Sequence, residues 1–309
     1  MEPNSKPSQR ALVENPNRME WPTLLLWFGV TLVWFLSLYL AYDLSPFLAG
    51  IICTFAMVLH SSLSHEVLHG HPFRSSWASQ ALVVVSPGLF IPYFRFRDTH
   101  LAHHQDARLT DPYDDPESNY LDPTVWKNLP GWQRFVLRSN NLLLGRMVIG
   151  PLIALISFMK ADFKAIRAKD VKVMRAWLWH VPGVVLVLWI VGYSAMPVWV
   201  YLVCAYCALS ILKIRTFLEH QAHEKIGGRT VIIEDRGLLA FLFLNNNLHV
   251  VHHMHPQVPW FRLPRLYRSN PDRFQSRNGG YVYRSYGQIF RAHLFRAKDT
   301  VPHPLWPSQ

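Results

Sequence analysis

The stretch His65-Glu66-Val67-Leu68-His69 sets two histidines four residues apart, so both lie on one face of a helix. With Glu66 between them this is also the zinc-protease pattern, in which two imidazoles hold the metal and the carboxylate is the general base. Three further groups follow. "RDTHLAHHQD" carries His100, His103 and His104; "RTFLEHQAHE" carries His220 with His223 as the alternative; "NNNLHVVHHMHP" carries His249, His252 and His253, then His255 as a possible extra ligand. The second and fourth groups are both H-x-x-H-H, and positions i, i+3 and i+4 share a helix face, so three imidazoles of each can converge. A zinc takes four protein ligands in structural sites and three in catalytic ones. These groups together exceed that and suit two metals, whereas a protease at His65 and His69 leaves the other groups without a role. Imidazole alone does not choose among iron, zinc, copper and nickel. Many neutral ligands with open positions favour an oxygen-activating iron pair. Glu66 then becomes a catalytic acid-base candidate or a partner of the ligands.

Such a site needs elements that bring the four groups together. The chain has 309 residues, half of them hydrophobic and 14% aromatic, more than an ordinary soluble surface tolerates. A membrane span needs roughly 20 mostly apolar residues. Four segments qualify: 24–42, 46–63, 177–196 and 198–214. The turns within each pair, Asp43 to Ser45 and Ala195 to Pro197, contain none of the 31 Lys and Arg residues. The positive-inside rule therefore places both turns outside and both termini in the cytoplasm. Two other apolar stretches do not read as spans. Ala81 to Phe94 is short and broken by Pro87-Gly88 and Pro92. Asn141 to Met159 carries Arg146, and a charge at mid-bilayer costs about 3 kcal/mol on insertion scales. Both read as interfacial or re-entrant, which puts all four histidine groups on the cytosolic side. The expected fold is all-α and membrane-embedded: two hairpins of spans under a cytosolic helical cap carrying a dimetal site. The expected divisions are a disordered lead-in over 1–20, a membrane domain over 21–260 and a basic cytosolic segment over 261–309.

The formal net charge of +11 suits an anionic surface, and the hydrophobicity favours lipid over nucleic acid as that surface. Cys53, Cys204 and Cys207 all sit in apolar runs, so no disulfide framework is implied. The polar first 20 residues do not read as a signal peptide. A metal transporter is the non-enzyme alternative, but its ligands belong at mid-span, where His180 is the one candidate and His60 reads as a buried, hydrogen-bonded helix residue.

The pieces "HEVLH", "HLAHH" and "HVVHH", with a lone histidine after the fourth span, resemble the integral-membrane fatty acid desaturase superfamily, which shares its boxes with membrane hydroxylases and carotenoid ketolases. The resemblance covers about residues 45 to 260. It implies a non-haem di-iron centre ligated by His65, His69, His100, His103, His104, His220, His249, His252 and His253. Glu219-His220 matches the acidic-His pair at the lone ligand of related membrane monooxygenases. The activity implied is oxygen-dependent desaturation of a fatty acyl chain, with hydroxylation or ketolation of a lipid, alkane or carotenoid as the alternative outcome. Glu219, Asp98, Asp106 and Asn245 to Asn247, Asn246 foremost, are the candidate partners of the ligands. The electron donor is expected to be a separate protein of ferredoxin, rubredoxin or cytochrome b5 type; the arginines at 262, 265, 268, 273 and 277 suit either docking such an acidic donor or, the favoured reading, holding anionic lipid headgroups. For a bacterial chain the expected location is the inner membrane.

Overall fold

The computed structural model describes residues 19–104 and 106–306, the side chain of Asp106 excepted. The lead-in expected over 1–20 therefore lies outside the described residues apart from Met19 and Glu20. Glu20 is buried, and its carboxylate accepts a hydrogen bond from His71 Nδ1 at 2.7 Å.

The chain is mostly helical. Four helices are long and apolar enough to cross a membrane: α1 (Trp21–Tyr39), α2 (Pro46–Leu68), and, further along, Val171–Gly192 and Val198–Thr216. At about 1.5 Å per residue the shortest spans ~28 Å, close to a bilayer's hydrocarbon core. Their starts follow local chemistry. Ser45 caps α2 by accepting from Leu48 N, with Pro46 in the first turn. Asp170 caps the helix at Val171, accepting from Lys172 N and Val173 N. Between the two pairs lie α3 (Tyr93–His103), α4 (Gly131–Asn140), α5 (Leu143–Val148) and α6 (Gly150–Arg167); the long helices that follow are α7 (Val171–Gly192) and α8 (Val198–Thr216). The last third carries α9 (His249–Met254), a two-stranded parallel sheet pairing Ile232–Ile233 with Val282–Tyr283, and α10 (Tyr286–His293).

Helix α2 is the centre of the bundle. Its apolar window is 56% buried, against 28% to 33% for the other three long helices. It packs on α1 and α8, which bring Trp34, Leu38, Tyr201 and Ala205 against Ala49, Cys53 and Met57. The outer faces stay apolar and uncovered: Leu25, Phe28 and Leu32 on α1, and Leu178, Val185 and Trp189 on α7, are all exposed. An apolar surface of this extent belongs against lipid.

The stretch from Ala81 to Phe94 forms no continuous helix; only its ends are helical. Its backbone is held by side chains of three long helices. Trp27 Nε1 donates to Leu82 O at 2.7 Å, Tyr201 Oη to Pro87 O at 2.7 Å, and His180 Nε2 to Leu89 O at 2.7 Å. Irregular backbone among apolar helices survives only where its polar groups are satisfied by protein in this way. His180, the mid-span histidine, is thereby occupied by a carbonyl. In the other interrupted stretch, Arg146 lies in α5, buried, donating to Asn140 O at 2.9 Å and to Asn119.

Candidate metal centre

Three helices and one loop deliver the histidines. Helix α2 carries His65 and ends with His69 as its C-cap. Helix α3 carries His100 and His103 and is capped by His104. Helix α9 carries His249, His252 and His253. His220 follows α8 on a loop, tied to Thr230 by an isolated antiparallel bridge.

The side chains gather into two clusters. His65, His69, His100, His104 and His252 form one; His103, His220, His249 and His253 form the other. Within each, the candidate ligand atoms all lie within 4.8 Å of one another. Each H-x-x-H-H box is split between them, because neighbouring residues point about 100° apart on a helix. His104 thus joins the first cluster and His103 the second.

The ring nitrogens meet head on. In the second cluster His220 Nε2 lies 2.8 Å from His103 Nε2 and 3.1 Å from His249 Nε2. In the first, His104 Nε2 lies 3.0 Å from His100 Nε2 and 3.2 Å from His252 Nε2. The far sides of several rings are engaged. His103 Nδ1 donates to Asp115 at 2.7 Å, His100 Nδ1 to Glu117 at 2.9 Å and His249 Nδ1 to Asn246 Oδ1 at 3.1 Å. A ring whose proton sits on Nδ1 offers a lone pair at Nε2. Facing lone pairs repel, and a proton can satisfy only one pair of them, whereas a cation satisfies several. His65 Nε2 and His69 Nε2 are buried without a hydrogen-bond partner, which costs about 1–3 kcal/mol each if nothing fills the gap. Both observations fit bound metal.

The electrostatics keep these rings neutral donors. Burial, reinforced by neighbouring imidazoles, holds His69, His104, His220, His249 and His252 below the ordinary histidine range. His103 is the exception. Burial pulls it down, but the Glu117 charge and the Asp115 hydrogen bond outweigh that and push it up to about 9. Burial likewise raises the Glu117 carboxyl, yet His103 and His100 together hold it below the usual carboxylate range. The acidic loop therefore favours positive charge at this end of the site, whether proton or metal.

Not every expected residue joins the clusters. His223 sits apart, its Nδ1 accepting from Lys225 N at 3.0 Å, and His255 packs against the Phe274 ring. Asp98 pairs with Arg97, both half-buried. Glu66, about 100° around α2 from His65, accepts from Trp260 N at 3.0 Å and so ties α2 to the chain beyond α9. The Asp106 side chain lies outside the described residues. Glu219 is buried beside Arg215 at 3.0 Å and accepts from Asn246 Nδ2 at 3.4 Å, so Glu219 supports His249 through Asn246. The flanking asparagines brace the turn: Asn245 donates to Trp260 O, and Asn247 to Ile233 O and Asp235 O. Leu244 and Asn245 both take positive φ there, which reverses the chain sharply before α9. Asp115 and Glu117 were not among the residues that spacing singled out. Their only sequence signal is the acidic run "LTDPYDDPESNYLDP" shortly after the second box.

A family model described as fatty acid desaturase matches residues 42–286. That is well over half of the chain and places it in that family. No curated protein matches it.

Proposed function

We propose that this member of the fatty acid desaturase family is a di-iron oxidoreductase that removes two hydrogens from a lipid acyl chain to form a double bond. The observation that carries the reading is the pair of clusters, with ring nitrogens converging and Nδ1 protons held on the far side. The ligands are His65, His69, His100, His104 and His252 for one iron, and His103, His220, His249 and His253 for the other. Bound iron supplies the oxygen chemistry needed to attack an unactivated methylene. The chain's residues do the rest. Asp115, Glu117 and Asn246 keep the Nδ1 protons of His103, His100 and His249 in place, which leaves Nε2 free to ligate and fixes each ring's orientation. Helices α2 and α3 set both clusters beside the apolar bundle, where one carbon of a lipid chain can be held, and such positioning dominates selectivity.

The absence of Lys and Arg from the turns at 43–45 and 195–197 supports a cytosolic site with both termini on the same side. The basic residues clustered near 262–277 would then lie on that face, where an acidic electron-donor protein can dock. The exposed apolar faces of α1 and α7 support lipid as both surroundings and substrate source.

The test is expression in a lipid-producing host, with mass spectrometry of the acyl chains beside metal analysis of the detergent-purified protein. Two irons per chain and a product lacking two hydrogens are expected. A product carrying one added oxygen atom makes the enzyme a hydroxylase. One zinc per chain and no lipid product defeats the oxygenase reading.

A further inference from the structure

The segment beyond α10, Lys298 to His303, lies outside every histidine box, yet it packs against the acidic loop after α3 and the loop that carries His220. Leu121 N donates to Val301 O at 3.0 Å and His303 N to Leu121 O at 2.8 Å, so the segment runs as a strap beside the acidic loop. Asn141 Nδ2 donates to Asp299 O at 2.7 Å and anchors it from the other side.

Two lines of contact lead from the strap to ligand candidates. The first starts at Lys298. Its side chain is 5% exposed, and Nζ donates to the backbone carbonyl of His220. Tyr120 completes this line: its hydroxyl donates to the Asp299 carboxylate and accepts from Ala222 N at 2.9 Å, two residues past His220. The second line starts at His303, whose Nε2 lies 3.3 Å from Thr110 Oγ1. Thr110 N donates to Asp115 Oδ2 at 2.9 Å, and the other Asp115 oxygen receives His103 Nδ1 at 2.7 Å. Both lines end in the four-histidine cluster.

The need for bracing there is physical. His220 is the one clustered histidine that neither lies in a helix nor caps one, and helical hydrogen bonds do not hold its backbone. A buried ammonium is costly unless its protons are used, so Lys298 is committed to the His220 carbonyl and to Asp299, 3.8 Å away. The five-histidine cluster draws all its members from helices or their C-caps, and among the described residues no strap hydrogen bond reaches them. Glu117, which holds His100, is flanked by strap contacts at Thr110 and Tyr120 but receives none itself.

We propose that the C-terminal strap, through Lys298 and the Tyr120–Asp299 pair, positions His220 and thereby sets how tightly the four-histidine cluster holds its metal, independently of the five-histidine cluster. This rests on the two-metal reading above. Lys298 is a positioning residue, and its role is specific to one of the two sites.

The experiment follows metal release into a chelator from the iron-loaded, detergent-purified full chain, comparing wild type with Lys298→Met, Lys298→Arg and Tyr120→Phe. The Met variant is expected to release one iron about 10-fold or more faster, within the range for losing a ligand's support, while the other iron leaves at the wild-type rate. The Arg variant, which keeps a cationic donor, is expected to recover part of the difference. Tyr120→Phe deletes a single hydroxyl, so folding is retained, and it is expected to shift the same iron less. Release of both irons at wild-type rates in every variant overturns the proposal. So does release of both irons together at one faster rate, which would make the strap a general structural support. A wild-type chain holding fewer than two irons defeats the underlying two-metal reading before any variant is compared.

Discussion

The five-histidine cluster is assembled from helices: α2, α3 and α9 each contribute, and helix geometry places the rings. The four-histidine cluster takes one ring from α3, His103, two from α9, His249 and His253, and its last, His220, from a loop. Its support is correspondingly heavier. Asp115, Asn246 backed by Glu219 and Arg215, and Lys298 all bear on it. In the first cluster Glu117 on His100 is the acidic partner that the hydrogen bonds show. Helical spacing can thus replace external support, and where a clustered histidine lies off the helices, as His220 does, the protein supplies that support from distant sequence.

The largest expected effect separates the clusters outright. His103→Ala should cost the metal of the four-histidine cluster and His65→Ala that of the other, each leaving about one iron per chain by elemental analysis. Product formation should fall at least about 100-fold in both, beyond the usual cost of losing a ligand's partner alone. If either substitution strips both irons, the clusters are one cooperative unit and the contrast between them fails.

A smaller pair of changes sharpens the contrast. Asp115→Asn removes the charge behind His103, and Glu117→Gln the charge behind His100. Each is expected to weaken iron binding about 10- to 100-fold, the first at the four-histidine cluster and the second mainly at the five-histidine one, as read by competitive chelator titration. Because Glu117 also lies 3.9 Å from His103, its change should reach both clusters unequally. Identical profiles for the two variants would show that the acidic loop acts as a single field.

The smallest effect is the control. His223→Ala and His255→Ala remove imidazoles that lie outside both clusters, and the iron content should stay at its wild-type value. Loss of iron from His223→Ala would mean that His220 is not the loop ligand.

Much of this could be read from residue order because it depends on local periodicity. Apolar runs of span length appear as α1, α2, α7 and α8 within a few residues of their expected ends, whereas the i, i+3, i+4 spacing implied that the three imidazoles of each box converge together, and each box is instead split between the two clusters. Boundaries moved where caps decided them. Helix α2 continues past residue 63 to Leu68, carrying His65 within it, and the third long helix begins at its Asp170 cap, not at Trp177. Glu66 adjoins His65 and Asp98 lies two residues before His100, and at about 100° per helical residue both carboxylates turn elsewhere, Glu66 to Trp260 N and Asp98 to Arg97.

Residue order carries the candidate ligands, the segments long and apolar enough to cross a membrane and the helix face on which each box sets its rings, since all three follow from side-chain chemistry and helical repeat. Only the tertiary structure decided how the boxes are shared between two clusters, that Asp115 and Glu117 sit behind His103 and His100, and that Lys298 reaches His220 from 78 residues away. Those contacts join separate segments, a loop to a helix or a loop to the strap. A hydrogen bond between such segments has no period, so no spacing rule announces it.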